Sequence, residues 1–407
     1  MHKVINVCLI MFFVGCVALA EDTTQKVNVV FGVNNFEQMF SKGELTSQVR
    51  SIYIGYDQKK TGENNTYATA FGGMLKYELA SFNGFNVAIA VTGSQDIGFA
   101  TGDANQYKQN TELSSSKGSY LEVSEAYINY KNNGFNIRLG RQMVETPLAD
   151  TDDTRMIPNT FEAYMLTYES NKLLFTLGNL QKWQGAGVNL NDNWIDVEAS
   201  GISMIGLSYD HFLKFNVWYY DIQKLNYESG ASYFELGYKF EEKLSLQALV
   251  QYLHQSEKKN SEIQADIYGA ILKLTVDNID TYVAYNKAKK HIGKRSFSGI
   301  GGGSLYTNMD TMLLDELADD RDASALVFGI EYNLNNLKLQ YVYGDFKGKQ
   351  NSVGNTMYIV EQNFGFEYTL DNAFNLVAIY VKEEDKQSSI KTINDWDRVQ
   401  LMITYDF

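Results

Sequence analysis

The sequence predicts an all-β fold: a transmembrane antiparallel β-barrel of about 18 strands, with short turns at one end and long loops at the other. Three observations predict it. Apolar and polar residues alternate with period two along most of the 407 residues, which puts one kind of side chain on each face of a strand. Short Asn- and Asp-rich turns alternate with long polar stretches. The last alternating segment finishes on an aromatic residue, Phe407.

Taken in order, residues 1–20 read as an export signal outside the fold. Lys3 supplies the charged start, LIMFFVGCVAL a short apolar run, and Ala18-Leu19-Ala20 a small-residue cleavage site before Glu21. The apolar run is well short of the roughly 20 residues a spanning helix needs. Both cysteines, Cys8 and Cys16, lie in this segment, so residues 21–407 have no thiol for a disulfide, a zinc site or a nucleophile. The segment takes one lysine and no acid with it, so the chain that remains is one unit more negative than the formal −14 of the whole. Such a chain repels phosphate, which argues against nucleic acid as a partner.

Residues 21–407 read as one domain. No Pro/Ser-rich tract, charge block or composition shift marks a linker, and the 28 Tyr and 23 Phe are spread from end to end. The expected strands begin at about 45–57, 66–80, 84–92, 119–131, 134–142, 162–169, 172–180, 199–209 and 212–221. They continue at about 231–240, 243–255, 263–275, 278–288, 324–334, 336–346, 358–370, 373–382 and 396–407. Tight turns are expected at Asn132-Asn133-Gly134, Ser170-Asn171, Asp277-Asn278, Asn335-Asn336 and Asp371-Asn372. Longer polar stretches fall at 93–118, 143–162, 181–198, 289–323 and 382–395.

A soluble sandwich also alternates, but seldom needs so many strands in one run. A closed barrel turns the apolar face to lipid and the polar face to a water-filled lumen, and closure removes the open edges that lipid does not tolerate. Tyr130, Tyr252, Tyr343 and Tyr368 fall near strand ends, where such barrels carry aromatic girdles. The terminal Phe407 resembles the strand by which outer-membrane barrels are recognised by their assembly machinery.

One stretch stands apart. Residues 138–164, RLGRQMVETPLADTDDTRMIPNTFEAY, hold the only two prolines, Pro147 and Pro158, amid dense charge. Each proline fixes its own φ and restricts the residue before it, so this is a structured loop with fixed charges rather than a disordered one.

These motifs resemble the OprD-type outer-membrane porin superfamily, and within it the epsilonproteobacterial branch related to Campylobacter-type major outer-membrane proteins. The resemblance is carried by Gly140-Arg141-Gln142, Thr146-Pro147-Leu148, Asp152-Asp153-Thr154-Arg155-Met156 and Pro158-Asn159-Thr160-Phe161-Glu162. Gly72-Gly73-Met74-Leu75-Lys76-Tyr77, Glu125-Ala126-Tyr127-Ile128-Asn129-Tyr130 and Lys182-Trp183-Gln184-Gly185 support it. It is strong over 40–190 and diffuse afterwards. It implies an eighteen-stranded barrel whose third outer loop, here 143–162, folds inward to narrow the pore. The arginine ladder that some members draw from their last strands is reduced here to Arg398, with Lys338 farther back.

The expected function is passive diffusion of ions and small hydrophilic solutes, with no cofactor. The expected constriction is Arg138, Arg141, Gln142, Glu145, Asp150, Asp152, Asp153, Arg155, Asn159 and Glu162. Strict alternation turns Arg141 toward lipid, which a bulge or an interfacial position would resolve. Inward parity elsewhere gives Glu235, Glu331, Lys338, Glu361, Glu367 and Arg398 as pore-lining residues, and the acidic balance favours cations. Asp310, Asp315 and Asp319, in the acidic run 310–322, are weak metal candidates, because their spacing fits no calcium loop; the same loop could also fold into the pore mouth. A barrel enzyme would need a nucleophile beside His211, His254 or His291, and none has a motif-level serine. An adhesin-like or structural barrel is the alternative. Outer-membrane lipid is the expected surround, and monomer and homotrimer both stay open.

Overall fold

The computed structural model describes residues 32–98, 110, 112–113, 119–185, 190–197, 201–223, 228–241, 244–370 and 373–407. The expected signal at 1–20 and the Asp371-Asn372 turn lie outside the described residues. A short helix, α1 (Phe36–Ser41), precedes the strands. The strands are β1 (Glu44–Gln58), β2 (Thr66–Glu78), β3 (Phe85–Asp96), β4 (Tyr120–Asn132), β5 (Phe135–Gln142), β6 (Thr160–Ser170) and β7 (Leu173–Gly185). Then come β8 (Leu190–Asp196), β9 (Ile202–Asp210), β10 (Leu213–Gln223), β11 (Glu228–Glu241), β12 (Ser245–Lys259), β13 (Ala265–Val276) and β14 (Ile279–Ala288). A four-residue helix, α2 (Leu314–Leu317), leads into β15 (Ala323–Leu334), β16 (Leu337–Gly348), β17 (Met357–Leu370), β18 (Phe374–Asp385) and β19 (Trp396–Asp406).

Apart from the short β8, every strand pairs antiparallel with the next strand of the wall, β7 with β9 included, and β19 returns to pair with β1 from Gln48↔Asp406 to Gln58↔Trp396. The barrel is therefore closed. Eighteen of the strands form its wall. The short β8 is additional: β7 pairs with β9 along its first part and with β8 only beyond it. The polar stretch 181–198 thus holds a strand where the sequence predicts only a loop.

The tight turns use the left-handed residues their chemistry allows. Asn133 and Gly134 have φ of 47° and 84°, and Asn171 and Lys172 of 49° and 68°. All such turns fall at one end, and the long loops at the other.

The outer face is apolar as expected, with Leu75, Leu121, Ile128, Tyr164, Val250, Tyr268 and Phe364 among its exposed side chains. The inner face departs from expectation. Instead of a uniformly polar lumen it carries two apolar patches. One gathers Ile52, Ile54, Ala68, Ala70, Val377, Ile379 and Met402. The other includes Tyr220, Leu249, Leu253, Ile267, Ala284, Val327 and Phe346. Loop residues cover both: Met156 the first, and Val144, Leu148, Leu305, Tyr306 and Leu314 the second. Loops with enough apolar surface to bury need an apolar wall to bury it on.

Candidate channel constriction

Among the described residues two long loops enter the lumen, and Glu112 and Leu113 of the segment after β3 join them there. Residues 143–159 connect β5 and β6; residues 289–322 connect β14 and β15. They meet edge to edge. Asp150 N–H donates to the Ile300 carbonyl at 2.9 Å, Ile300 N–H donates to the Leu148 carbonyl at 3.0 Å, and Asn159 Nδ2 reaches the Gly301 carbonyl at 3.3 Å.

The first loop spans from its own strands to the seam between β1 and β19. There Arg50, on the inward face of β1 and only 1% exposed, grips Asp153 with both terminal nitrogens, at 2.6 and 2.8 Å. The same guanidinium donates to the Arg155 carbonyl at 2.6 Å. Arg155 in turn donates to Glu112 at 2.8 and 3.0 Å and to Gln400 of β19 at 3.1 Å. Gln400 answers by donating to the Thr154 carbonyl at 3.0 Å. On the opposite side, Leu148 N–H donates to the Tyr220 hydroxyl of β10 at 3.3 Å.

The second loop is pinned to inward-facing acids and amides. Glu235 of β11 accepts the Tyr306 hydroxyl at 2.8 Å, and Glu361 of β17 accepts Thr311 Oγ1 at 2.6 Å and Met312 N–H at 2.7 Å. Gln251 of β12 donates to the Ser304 carbonyl at 2.9 Å, and Thr307 donates to Asn286 of β14 at 3.1 Å. Asp310 pairs with Arg398 of β19. Arg50, Arg155 and Arg398 thus follow one another along the β1/β19 seam, and each already holds a carboxylate from a loop segment.

Val144, Leu148, Ala149, Met156 and Ile157 are buried, whereas Glu145 is exposed and Asp152, Asp153 and Arg155 are half-buried. Surrounding protein pushes the Glu145 carboxyl up to about 8, and repulsion from Asp150 adds to it. Burial also raises Asp150. Asp152 is pushed up to about 7, mainly by burial; Arg155 opposes this, and Asp150, Asp310 and Asp153 reinforce it.

Arg138 lies on the inner face, its guanidinium 4.5 Å from the Tyr127 ring centre and its Nε 3.4 Å from Asn129. Gln142 is buried and fastens the strand end, donating to the Ala163 carbonyl at 3.0 Å. Arg141 takes outward parity at the end of β5. It stacks on Trp194 of β8 at 4.4 Å, donates to the Val123 carbonyl at 3.2 Å and faces Glu162 at 3.8 Å. Arg141 was expected at the constriction but turns away from the lumen wall, its charge met by the Trp194 ring of β8 and by Glu162. Glu331, Lys338 and Glu367 lie together on inward positions toward the tight-turn end, with Lys338 3.5 Å from Glu331 and 4.0 Å from Glu367.

The weak metal candidates do not converge. Asp310 is on Arg398, Asp315 lies buried in α2, and Asp319 accepts Ser296 N–H at 3.2 Å. Among the described residues no group of His, Cys, Asp or Glu is placed to hold a metal ion. His254 and His291 both engage one carboxylate, Asp266, at 2.8 and 2.9 Å.

Sequence reading missed Arg50, Glu112 and Gln400. Arg50 and Gln400 sit at inward parity on their strands, a signal alternation could have supplied. Glu112, in a long loop, carries no such mark.

The model of a family described as outer membrane porin, OprD family, matches residues 38–407. No curated protein matches the chain by sequence. Among solved structures, Pseudomonas aeruginosa OccK9 (OpdG) aligns with TM-score 0.76 at 12% identity, covering 91% of this chain and 99% of that one. Acinetobacter baumannii OccAB4 aligns with TM-score 0.73 at 16% identity, covering 90% and 98%. Pseudomonas aeruginosa OpdK, solved with vanillate, aligns with TM-score 0.76 at 15% identity, covering 90% and 99%.

Proposed function

The chain belongs to the OprD family of outer-membrane porins, and on that footing we propose that its channel is a narrow, cation-preferring one, restricted by loops 143–159 and 289–322 together. Membership places the barrel in the outer membrane of a Gram-negative bacterium and makes it a channel for small solutes. The carrying observation for the finer reading is the charge state of the seam. Arg50, Arg155 and Arg398 are each matched by a loop carboxylate, while Glu145, Asp150 and Asp152 bring further acids to the same loop, whose negative charge develops as pH rises through their raised values. A narrow passage with net negative walls attracts cations and repels anions.

The test is planar-bilayer conductance of the refolded chain in a salt gradient. Steady channels whose reversal potential shows cation preference support the reading; anion preference overturns it. The apolar seating of both loops favours one second reading, a structural or adhesin-like barrel, and that reading requires a folded barrel with no conductance.

Three finer assignments belong to the same proposal. The stretches at 140–162 support the epsilonproteobacterial branch of the family. Phe407 acts as the recognition residue for barrel assembly, so its deletion should lower the assembled fraction. The barrel works as a monomer or as a homotrimer, and cross-linking in native membranes decides between the two.

A further inference from the structure

We propose that α1 is a membrane foot: a helix outside the barrel wall that beds Phe36 and Phe40 in the phospholipid of the periplasmic leaflet. The inference rests on the barrel spanning the membrane, and not on what the channel passes.

One face of α1 is fixed to protein. Asn35 caps the helix by accepting Gln38 N–H at 2.9 Å. Met39 is buried with Val33 and Ala80 against the turn after β2, and Ala80 N–H donates to the Met39 carbonyl at 3.0 Å. The other face carries the two phenylalanines one helical turn apart, edge to face at 5.3 Å between ring centres. They are 66% and 50% exposed.

The side of the wall on which α1 hangs follows from register. Lys76 of β2 is inward, its ammonium 3.0 Å from Glu125 inside the barrel. Tyr77 therefore faces outward, and its register partners Leu45 and Ile89 are exposed on that same outer face. The Tyr77 hydroxyl donates to the carbonyl of Phe40, which ties the C-terminal end of α1 to the lipid side of β2. The helix sits at the tight-turn end, level with the ring pairs Phe85–Tyr130 and Phe135–Tyr168, each 4.5 Å between centres. Aromatic pairs at this height form the interfacial girdle of such barrels. Phe36 and Phe40 continue that band, while Glu37 and Lys42 keep charge beside it for headgroups and water.

Residues 21–407 contain no cysteine, so a chain starting at Glu21 can carry one nitroxide label at a time. The variants are Phe36→Cys and Phe40→Cys, with Leu75→Cys as the lipid-facing reference and Glu37→Cys on the water side. Each is refolded into phosphatidylethanolamine/phosphatidylglycerol vesicles, and collisions with oxygen are compared with collisions with a water-soluble nickel chelate. The expected result is an oxygen-to-nickel ratio at 36 and 40 close to that at 75 and several-fold above that at 37. Free nickel access at 36 and 40 overturns the proposal in favour of a helix in the periplasm. Shielding from both reagents with dipolar broadening overturns it in favour of a contact with a second copy. Phe36→Trp, which keeps the ring, guards against a label that detaches the helix. Its added fluorescence should be quenched by brominated lipid, and the absence of quenching counts against the foot.

Discussion

Arg50 shows what a single guanidinium does when the barrel wall encloses it. Removing its partner leaves a buried cation with little water to replace the carboxylate. Asp153→Asn should therefore loosen loop 143–159 by about 1–3 kcal/mol and move the reversal potential toward anions. An unchanged reversal potential in a variant that still folds would mean that this pair lies off the conduction path.

The carboxyls of Glu145 and Asp152 are raised to about 8 and about 7, so their protonated forms suit the seated loop and their ionised forms oppose it. That contribution to seating is present at low pH and lost as pH rises through 7 to 8. Cation preference runs the other way, growing as the same groups ionise. Reversal potentials between pH 5 and 9, with hydrogen exchange of residues 143–159 alongside, check both signs (pH range chosen to bracket the carboxyl values).

At the scale of elements, the strand ends and the inward loops are where chain geometry is most demanding. Gly140 has φ +120° at the end of β5, and a Cβ there would lie 2.3 Å from the Ala126 carbonyl. It stands just before Arg141, whose stacking on Trp194 depends on where the strand stops. Gly140→Ala should cost about 1–3 kcal/mol, read as earlier unfolding in urea or lost heat-modifiability on gels. Loop 289–322 is held by burial as well as by its hydrogen bonds to the wall. Leu314 is fully buried against the lumen wall, and Leu314→Ala should cost about 2–5 kcal/mol while the barrel itself stays closed. The expected readout is faster proteolysis within 289–322 and a larger, noisier conductance. A quiet, unchanged channel would mean that this loop does not restrict flow.

At the scale of the whole molecule, closure and plugging obey different physics. Closure comes from backbone pairing of β1 with β19, completed where Ser47 and Phe407 exchange hydrogen bonds at 3.0 and 3.1 Å; lipid leaves no unpaired edge without cost. Plugging comes from side chains and the hydrophobic effect. Deleting Phe407 removes the last of that pairing, so the assembled, heat-modifiable fraction should fall while channels that do assemble keep their selectivity.

The strands were legible because alternation is local: a residue's parity needs only its neighbours. Sixteen residues separate Val144 from Phe161, and nothing in that span alternates, yet its prolines and charges still marked it as structured. The six residues read as pore-lining all fall at inward register positions, but parity could not tell that Glu235, Glu361 and Arg398 would be occupied in holding a loop. β8 was hidden because its pairing with β7 extends a wall strand rather than opening a new hairpin.

By itself, then, the sequence determined the barrel, the number of its wall strands, its orientation of turns and loops, and the loop that departs from the pattern, because each is written in spacing of two or in the chemistry of a turn. Tertiary structure alone decided that a second loop joins the first, that the lumen is partly apolar, and that Arg50 meets Asp153 across 103 residues of chain. Those contacts depend on how far the barrel's curvature carries one wall toward another, and no local period encodes that distance.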